Sequence, residues 1–307
     1  MSTTDQPGSR SLDLLRLMRP EQWTKNAVVL AAFLFAMGDR TQRVPFGLLL
    51  PALAAAALFC LASSGIYVFN DIRDADADRL HPVKKSRPLA AGAVSVRAAA
   101  VLAFVLLAGS LAGAWFLARP FASVVAGYVA LQFLYTMYLK RVALVDILVI
   151  ATGFVLRALA GGVAIGISIS PWLLLCTLLL ALFLALCKRR HEKKSMDDDA
   201  EGHRPALGDY DPRLLDQLIA IAAGATIVSY SIYTLWPDTV AKFGSPALGF
   251  TIPFVIFGVF RYLDLVYRRQ QGGRPERVLL SDLPLLVDLA LYGLAVLCIF
   301  ALRKPPV

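Results

Sequence analysis

PFGLLLPALAAAALFCLASSGIYVF, residues 45–69, carries no charged side chain, and it breaks directly into NDIRDADAD, residues 70–78. The first stretch is longer than the about 20 apolar residues that a helix needs to cross a bilayer's hydrocarbon core. Inside lipid every backbone N–H and C=O must be satisfied locally, so a run of this length reads as a transmembrane helix. Barrel strands would be about 10 residues long and would alternate apolar with polar; no such alternation is present.

The same pattern recurs along the chain. Spans are expected near 26–39, 46–69, 97–117, 121–139, 145–165, 170–187, 214–236, 246–267 and 284–302. Arg157 interrupts the fifth. Hydrophobic residues make up 58% of the chain and charged ones 17%, with a mean hydropathy of +0.64; a soluble domain carries about 25% charged residues. The expected fold is therefore an all-α integral membrane protein, with about nine transmembrane helices bundled around a polar cavity that opens to the cytoplasm.

Lys and Arg set the orientation. With the N-terminus inside, 23 of them fall on inner segments and 6 on outer ones: Arg40, Arg43, Arg119, Lys242, Arg303 and Lys304. Arg157 and Arg261 lie within spans. The net charge of +9 is accounted for by this topology and by attraction to anionic lipid. No segment is large enough to be a basic soluble domain, so nucleic acid is not an expected partner. Cys60, Cys176, Cys187 and Cys298 lie in apolar spans without ligand-like spacing and read as small buried hydrophobes. The chain reads as one domain over 1–307, with a disordered tail at 1–12, which lacks a cleavable-signal layout, and two functional cytoplasmic loops at 70–92 and 188–213.

The chemistry gathers at the cytoplasmic end. Asn70, Asp74 and Asp78 are spaced i, i+4, i+8 and form one stripe on a helix leaving the membrane, with Asp71 in reach of it. Stacked carboxylates repel one another unless a cation sits among them, and Mg²⁺ takes one or two carboxylates plus substrate phosphates. His81-Pro82 ends the helix, and Lys84, Lys85 and Arg87 follow. Such cations suit phosphate oxygens, although positive-inside topology alone would also supply them. Arg157, halfway along its span, costs several kcal/mol unless it faces a polar interior. Asp146 precedes it by eleven residues on nearly the same face, and an ion pair between the two is the structural alternative. Gly153, Ala158, Ala160, Gly161 and Gly162 flank it and permit close approach. Lys140 and Arg141 open this helix, and Lys188, Arg189, Arg190 and Glu192 close the next, followed by Asp197–Asp199. Arg19-Pro20-Glu21-Gln22-Trp23-Thr24-Lys25-Asn26 leads into the first span, where a Trp among cations also fits interfacial anchoring.

These residues resemble the UbiA superfamily of intramembrane prenyltransferases over nearly the whole chain. Asn70, Asp74 and Asp78 match its first acidic motif, and Arg87-Pro88 with Gly92 matches what trails it. Within the superfamily the chain is most similar to the decaprenyl-phosphate phosphoribosyltransferase branch. The residues that point there are Arg19, Pro20, Gln22, Trp23, Lys25 and Asn26, the Asn70-Asp71 pair, Leu156-Arg157-Ala158 with Ala160-Gly161-Gly162, and Lys188-Arg189 with Glu192. Where the superfamily usually carries a second aspartate motif, this chain begins with Lys188, Arg189 and Arg190.

The resemblance implies transfer of 5-phosphoribosyl from 5-phosphoribosyl 1-diphosphate to a polyprenyl phosphate, with pyrophosphate released. It further implies a bacterial inner membrane and a lipid-linked precursor of envelope glycans. On this expectation Asn70, Asp71, Asp74 and Asp78 hold Mg²⁺ on the donor diphosphate, and Lys84, Arg87, Lys188 and Arg189 hold phosphate oxygens. Lys140, Asp146 and Arg157 line the cavity where the lipid phosphate meets the anomeric carbon. A prenyltransferase acting on an aromatic acceptor is the alternative, and it requires Asp197–Asp199 as a second metal motif. A transporter or flippase using Asp146 and Arg157 as relays predicts charges reaching both faces, whereas they crowd one. Self-association into a homo-oligomer stays open.

Overall fold

A computed structural model describes residues 10–41, 44–80, 84–198, 210–270, 272–273, 275, 278 and 281–302. The described chain is helical throughout: α1 (Arg10–Met18), α2 (Ala31–Gly38), α3 (Leu49–Leu80), α4 (Val96–Leu117), α5 (Arg119–Met137), α6 (Val145–Ala164), α7 (Pro171–Asp198), α8 (Pro212–Leu235), α9 (Pro237–Phe243), α10 (Ile252–Tyr267) and α11 (Leu283–Ala301). Among the described residues eight helices are long and apolar enough to cross a membrane. The protein is a multi-pass membrane protein. The expected span at 26–39 is composite, a 3₁₀ segment (Pro20–Leu30) running into the short α2. Eleven residues of 3₁₀ helix are unusual, because its hydrogen bonds are poorer than those of an α-helix. Tertiary contacts described below hold it.

Prolines and side-chain caps set the helix starts. Pro120, Pro171, Pro212, Pro237 and Pro284 sit in first turns, where a missing N–H costs nothing. Ser95 accepts from the Ala98 N–H (3.2 Å) to open α4, Asp211 from Arg213 (2.6 Å) to open α8, and Asp282 from Leu285 (3.1 Å) to open α11.

At the polar ends α3 runs on to Leu80, as the Asn70–Asp78 stripe and the His81-Pro82 stop require, whereas α7 runs on to Asp198, so the first part of the expected loop at 188–213 is helix. Residues 81–83 and 199–209 lie outside the described residues. Residues 10–12 of the expected tail belong to α1, which is amphipathic. Its Leu17 is buried against Val68 and Ala75 of α3, Leu89 and Val94 of the following turn, and Ala99 of α4.

Two further apolar cores divide the bundle. One joins the 3₁₀ segment and α2 to α3, α5 and α6 through Val29, Phe33, Phe59, Phe121 and Ala160. The other joins α6 to α7, α8, α10 and α11 through Ile147, Phe183, Leu215, Val259 and Leu285. Because α6 serves both, 56% of its membrane window is buried, against 17% for α11. That explains its small residues, and it makes α6 the helix best shielded from lipid to carry Asp146 and Arg157.

Candidate active site

Asn70, Asp71, Asp74 and Asp78 share the last turns of α3, and the structure separates their surroundings. Asp74 is 28% exposed and receives the Lys140 ammonium on both oxygens, at 2.6 and 2.9 Å. The Asn70 amide donates to the same carboxylate at 3.1 Å. Asp78 takes the Arg87 guanidinium at 2.6 Å. Asp71, only 3% exposed, lies beneath Arg19 and Arg87, the latter at 3.1 Å. Its carboxylate therefore ties α1 and the Lys84–Ser86 turn to α3.

Arg19 reaches Asp71 from a left-handed backbone conformation (φ 52°, ψ 62°) and lies 5.3 Å from the Tyr67 ring centroid. Such a conformation persists for a non-glycine residue only where its surroundings over-determine it. The 3₁₀ segment that follows carries Gln22, Trp23, Lys25 and Asn26. The Trp23 indole donates to Ser64 Oγ at 3.0 Å, and Ser64 in turn donates to the Met18 carbonyl at 2.8 Å. This Trp fastens the segment to α3.

Arg157 and Asp146 do share a face of α6, but eleven residues along a helix is about 16 Å, and each has its own partners. Arg157, 5% exposed, donates through Nε to Asn26 Oδ1 (2.7 Å), and through its terminal nitrogens to the Gly153 carbonyl (2.9 Å) and Tyr128 Oη (2.9 Å). The ring centroids of Tyr128, Phe154 and Phe59 stand 4.9, 5.1 and 5.6 Å from it. Asn26 is held in turn by donating to Ser63 Oγ (3.1 Å) and Cys60 Sγ (3.2 Å). No carboxylate among the described residues pairs with Arg157.

Asp146 instead receives Arg189 Nε at 2.6 Å and the Tyr210 hydroxyl at 2.5 Å. Arg189 also pairs with Glu192, while Lys188 lies 3.9 Å from the same carboxylate. Arg190 turns the other way, onto Asp216 at 2.5 Å and over the Tyr267 ring. The side chains of Asp197–Asp199 lie outside the described residues. Tyr128 and Tyr210 escape the sequence reading because a tyrosine in an apolar or loop context carries no spacing signal.

Among the described residues no three His, Cys, Asp or Glu side chains gather as a protein-only metal site. A Mg²⁺ ion binds through one or two carboxylates and completes its shell with substrate phosphate oxygens. Asn70, Asp74 and Asp78 are a donor set of that chemistry. Asp71 and Asp78 are both buried and share Arg87, which leaves Asp74 the most open carboxylate of the stripe.

A cavity of about 370 Å³ lies among α7, α8, α10 and α11, with Phe35 of α2 also on its wall. Its lining is mostly apolar, including Leu173, Leu180, Phe183, Phe254 and Leu289.

The UbiA prenyltransferase family model matches residues 27–282. The decaprenyl-phosphate phosphoribosyltransferase of Mycolicibacterium smegmatis is 36% identical over 288 residues, covering 91% of this chain and 90% of that one. The protein of the same name from Corynebacterium glutamicum is 37% identical over 278 residues, covering 88% and 81%. Among solved structures, a UbiA homolog from Archaeoglobus fulgidus bound to GPP and Mg²⁺ superposes with a TM-score of 0.70 at 20% identity, covering 94% of this chain and 100% of that one. The chain belongs to the UbiA prenyltransferase family, and with it to the membrane-embedded transferases.

Proposed function

We propose that the protein transfers 5-phosphoribosyl from 5-phosphoribosyl 1-diphosphate to a polyprenyl phosphate. One observation carries the reading: the carboxylate stripe of α3 is threaded with cations, Lys140 on Asp74 and Arg87 on Asp78. One patch thus offers oxygen ligands to a divalent ion and cationic donors to phosphate oxygens, which is what a sugar diphosphate and a lipid phosphate together require. The names of the mycobacterial and corynebacterial relatives support this donor and this acceptor.

In this reaction a phosphate oxygen of the lipid bonds to the anomeric carbon, the bond from that carbon to the diphosphate breaks, and pyrophosphate leaves with the electron pair. The acceptor is already an anion, so no strong base is needed. Positioning and charge stabilisation supply most of the rate. Asn70, Asp74 and Asp78 would hold Mg²⁺, which when bound neutralises charge on the leaving pyrophosphate. Lys140 and Arg87 orient phosphate oxygens, and Lys84 and Lys188 add positive charge at the same end of the bundle. Arg189, enclosed by Asp146 and Glu192, serves as a strut. The apolar cavity suits the lipid tail, which extends sideways toward the bilayer. The excess of Lys and Arg at the polar end supports a cytoplasmic orientation in a bacterial inner membrane, and a lipid-linked ribose or arabinose precursor of envelope glycans is the corresponding product.

Purified protein in detergent is incubated with radiolabelled phosphoribosyl diphosphate, Mg²⁺ and a polyprenyl phosphate, and label is counted in the organic extract. Label is expected there and is lost with EDTA. An Asp74→Ala, Asp78→Ala double variant should lose at least about 10²–10³-fold in turnover while eluting as a folded monodisperse protein; an active double variant sinks the assignment. Product from a prenyl diphosphate and an aromatic acid, with no labelled lipid, moves the protein to the prenyl-transferring reading and to Asp197–Asp199.

A further inference from the structure

Between α5 and α6 the chain must reverse within a few residues while delivering Lys140 to Asp74. A 3₁₀ turn, Leu139–Arg141, presents Lys140. The reversal is completed at Leu144, whose φ of 64° and ψ of −41° close a γ-turn through the Val145 N–H and the Ala143 carbonyl at 2.8 Å. γ-Turns of positive φ are rare and strained. A leucine adopts one only where the surroundings hold it there.

The group that holds it comes from far along the chain. The Leu144 N–H donates to Tyr210 Oη at 2.7 Å, and this hydroxyl donates onward to Asp146 Oδ1 at 2.5 Å. Arg189 fixes the other oxygen of Asp146 at 2.6 Å. Tyr210, Asp146 and Arg189 are all buried, and the tyrosine ring packs in the core shared with Ile147 and Leu215. Burial, then the bond to Asp146, keeps the phenol protonated beyond its ordinary range. The hydroxyl is engaged both as donor and as acceptor and touches none of the groups that face Asp74.

We propose that Tyr210 is a positioning residue: by holding the Leu144 amide it fixes the turn that aims Lys140 at Asp74. The kinetic consequence rests on the phosphoribosyl reading above; the structural consequence does not.

Tyr210→Phe removes the hydroxyl and keeps the ring. Hydrogen–deuterium exchange of the full chain in detergent should quicken about tenfold at amides 139–146, the upper effect of one lost hydrogen bond. The KM for phosphoribosyl diphosphate should rise about tenfold, with that for polyprenyl phosphate moving less than about twofold. Leu144→Gly tolerates positive φ without a Cβ clash. Alone it should be near neutral, and combined with Tyr210→Phe it should bring the donor KM back towards wild type. A merely structural loss would lower the active fraction for both substrates equally and would not respond to the glycine. Unchanged exchange over 139–146, or an unchanged donor KM, overturns the proposal. If Tyr210→Phe cannot be recovered folded, the double variant with glycine carries the test, and its failure to recover counts against the turn as the site of action. Wild-type protein that transfers no phosphoribose would end the phosphoribosyl reading, and the exchange experiment would still decide the clamp.

Discussion

Arg189 has a carboxylate on either side, Asp146 and Glu192, and is 1% exposed. Arg157, one helix away and similarly buried, has an amide, a phenol, a backbone carbonyl and three aromatic rings. The first arrangement cancels charge and fastens α7 to α6. The second satisfies hydrogen bonds but leaves a full positive charge inside the bundle, softened only by ring quadrupoles. In the sequence Arg157 stands out as a mid-span charge and Arg189 as one of a cationic run at a helix end, and both are read toward substrate phosphate. Their surroundings differ accordingly: Arg189 joins α7 to α6 through Asp146, and Arg157 keeps a charge that no carboxylate among the described residues meets.

The sharpest way to break this contrast is to remove the strut. Arg189→Met would leave the buried Asp146 carboxylate with the Tyr210 hydroxyl but no cation, and losing one partner of a buried pair costs about 3–5 kcal/mol. Thermal unfolding in detergent should show a large loss. Arg189→Met with Asp146→Leu should recover much of it, since replacing both partners removes the unpaired charge. A single variant that unfolds within a degree or two of wild type would mean that Arg189 is no strut.

Gly161 tests the other region through its backbone. A Cβ added there would run into the Val29 carbonyl of the 3₁₀ segment, an atom that cannot swing aside as a side-chain tip can. Gly161→Ala should therefore push that segment away from α6, cost about 1–3 kcal/mol as overpacking does, and separate Asn26 from Arg157. Gly109→Ala on α4 meets nothing within 4 Å and is the control. It should be neutral or slightly stabilising, because a helical glycine gives up about 0.5–1 kcal/mol relative to alanine. Equal loss in the two variants would show that close approach at Gly161 is not what seats Asn26.

What could be read from the sequence divides along the same physical line. The spans follow from local hydropathy: α4 at Val96–Leu117 and α6 at Val145–Ala164 lie within about two residues of expectation. The Asn70–Asp74–Asp78 stripe follows from helical period alone. Which cation meets which carboxylate does not, because those pairs join remote segments, as Lys140 and Asp74 do across 66 residues. The eleven-residue spacing of Asp146 and Arg157 correctly reported a shared face, but a face is long, and direct neighbours on a helix are only three or four residues apart. Tyr210 was illegible for a further reason: its target is a backbone amide exposed by an unusual turn, and no residue pattern announces such a turn.

The finest test of the contrast exchanges fork for point charge. Arg157→Lys keeps the cation but cannot reach Asn26, Gly153 and Tyr128 at once, since an ammonium lacks the planar spread of donors. At about 0.5–1.5 kcal/mol for each hydrogen bond lost, the stability cost should stay well below that of Arg189→Met. If the charge of Arg157 acts on an anionic substrate, the lysine variant should retain measurable turnover while Arg157→Met retains none, at similar stability. If Arg157 only ties Asn26 to α6, turnover should follow stability, and lysine and methionine should rank by melting temperature alone. Measuring both quantities on both variants therefore separates a field from a fastening at one residue, with Arg189 as the reference for a fastening.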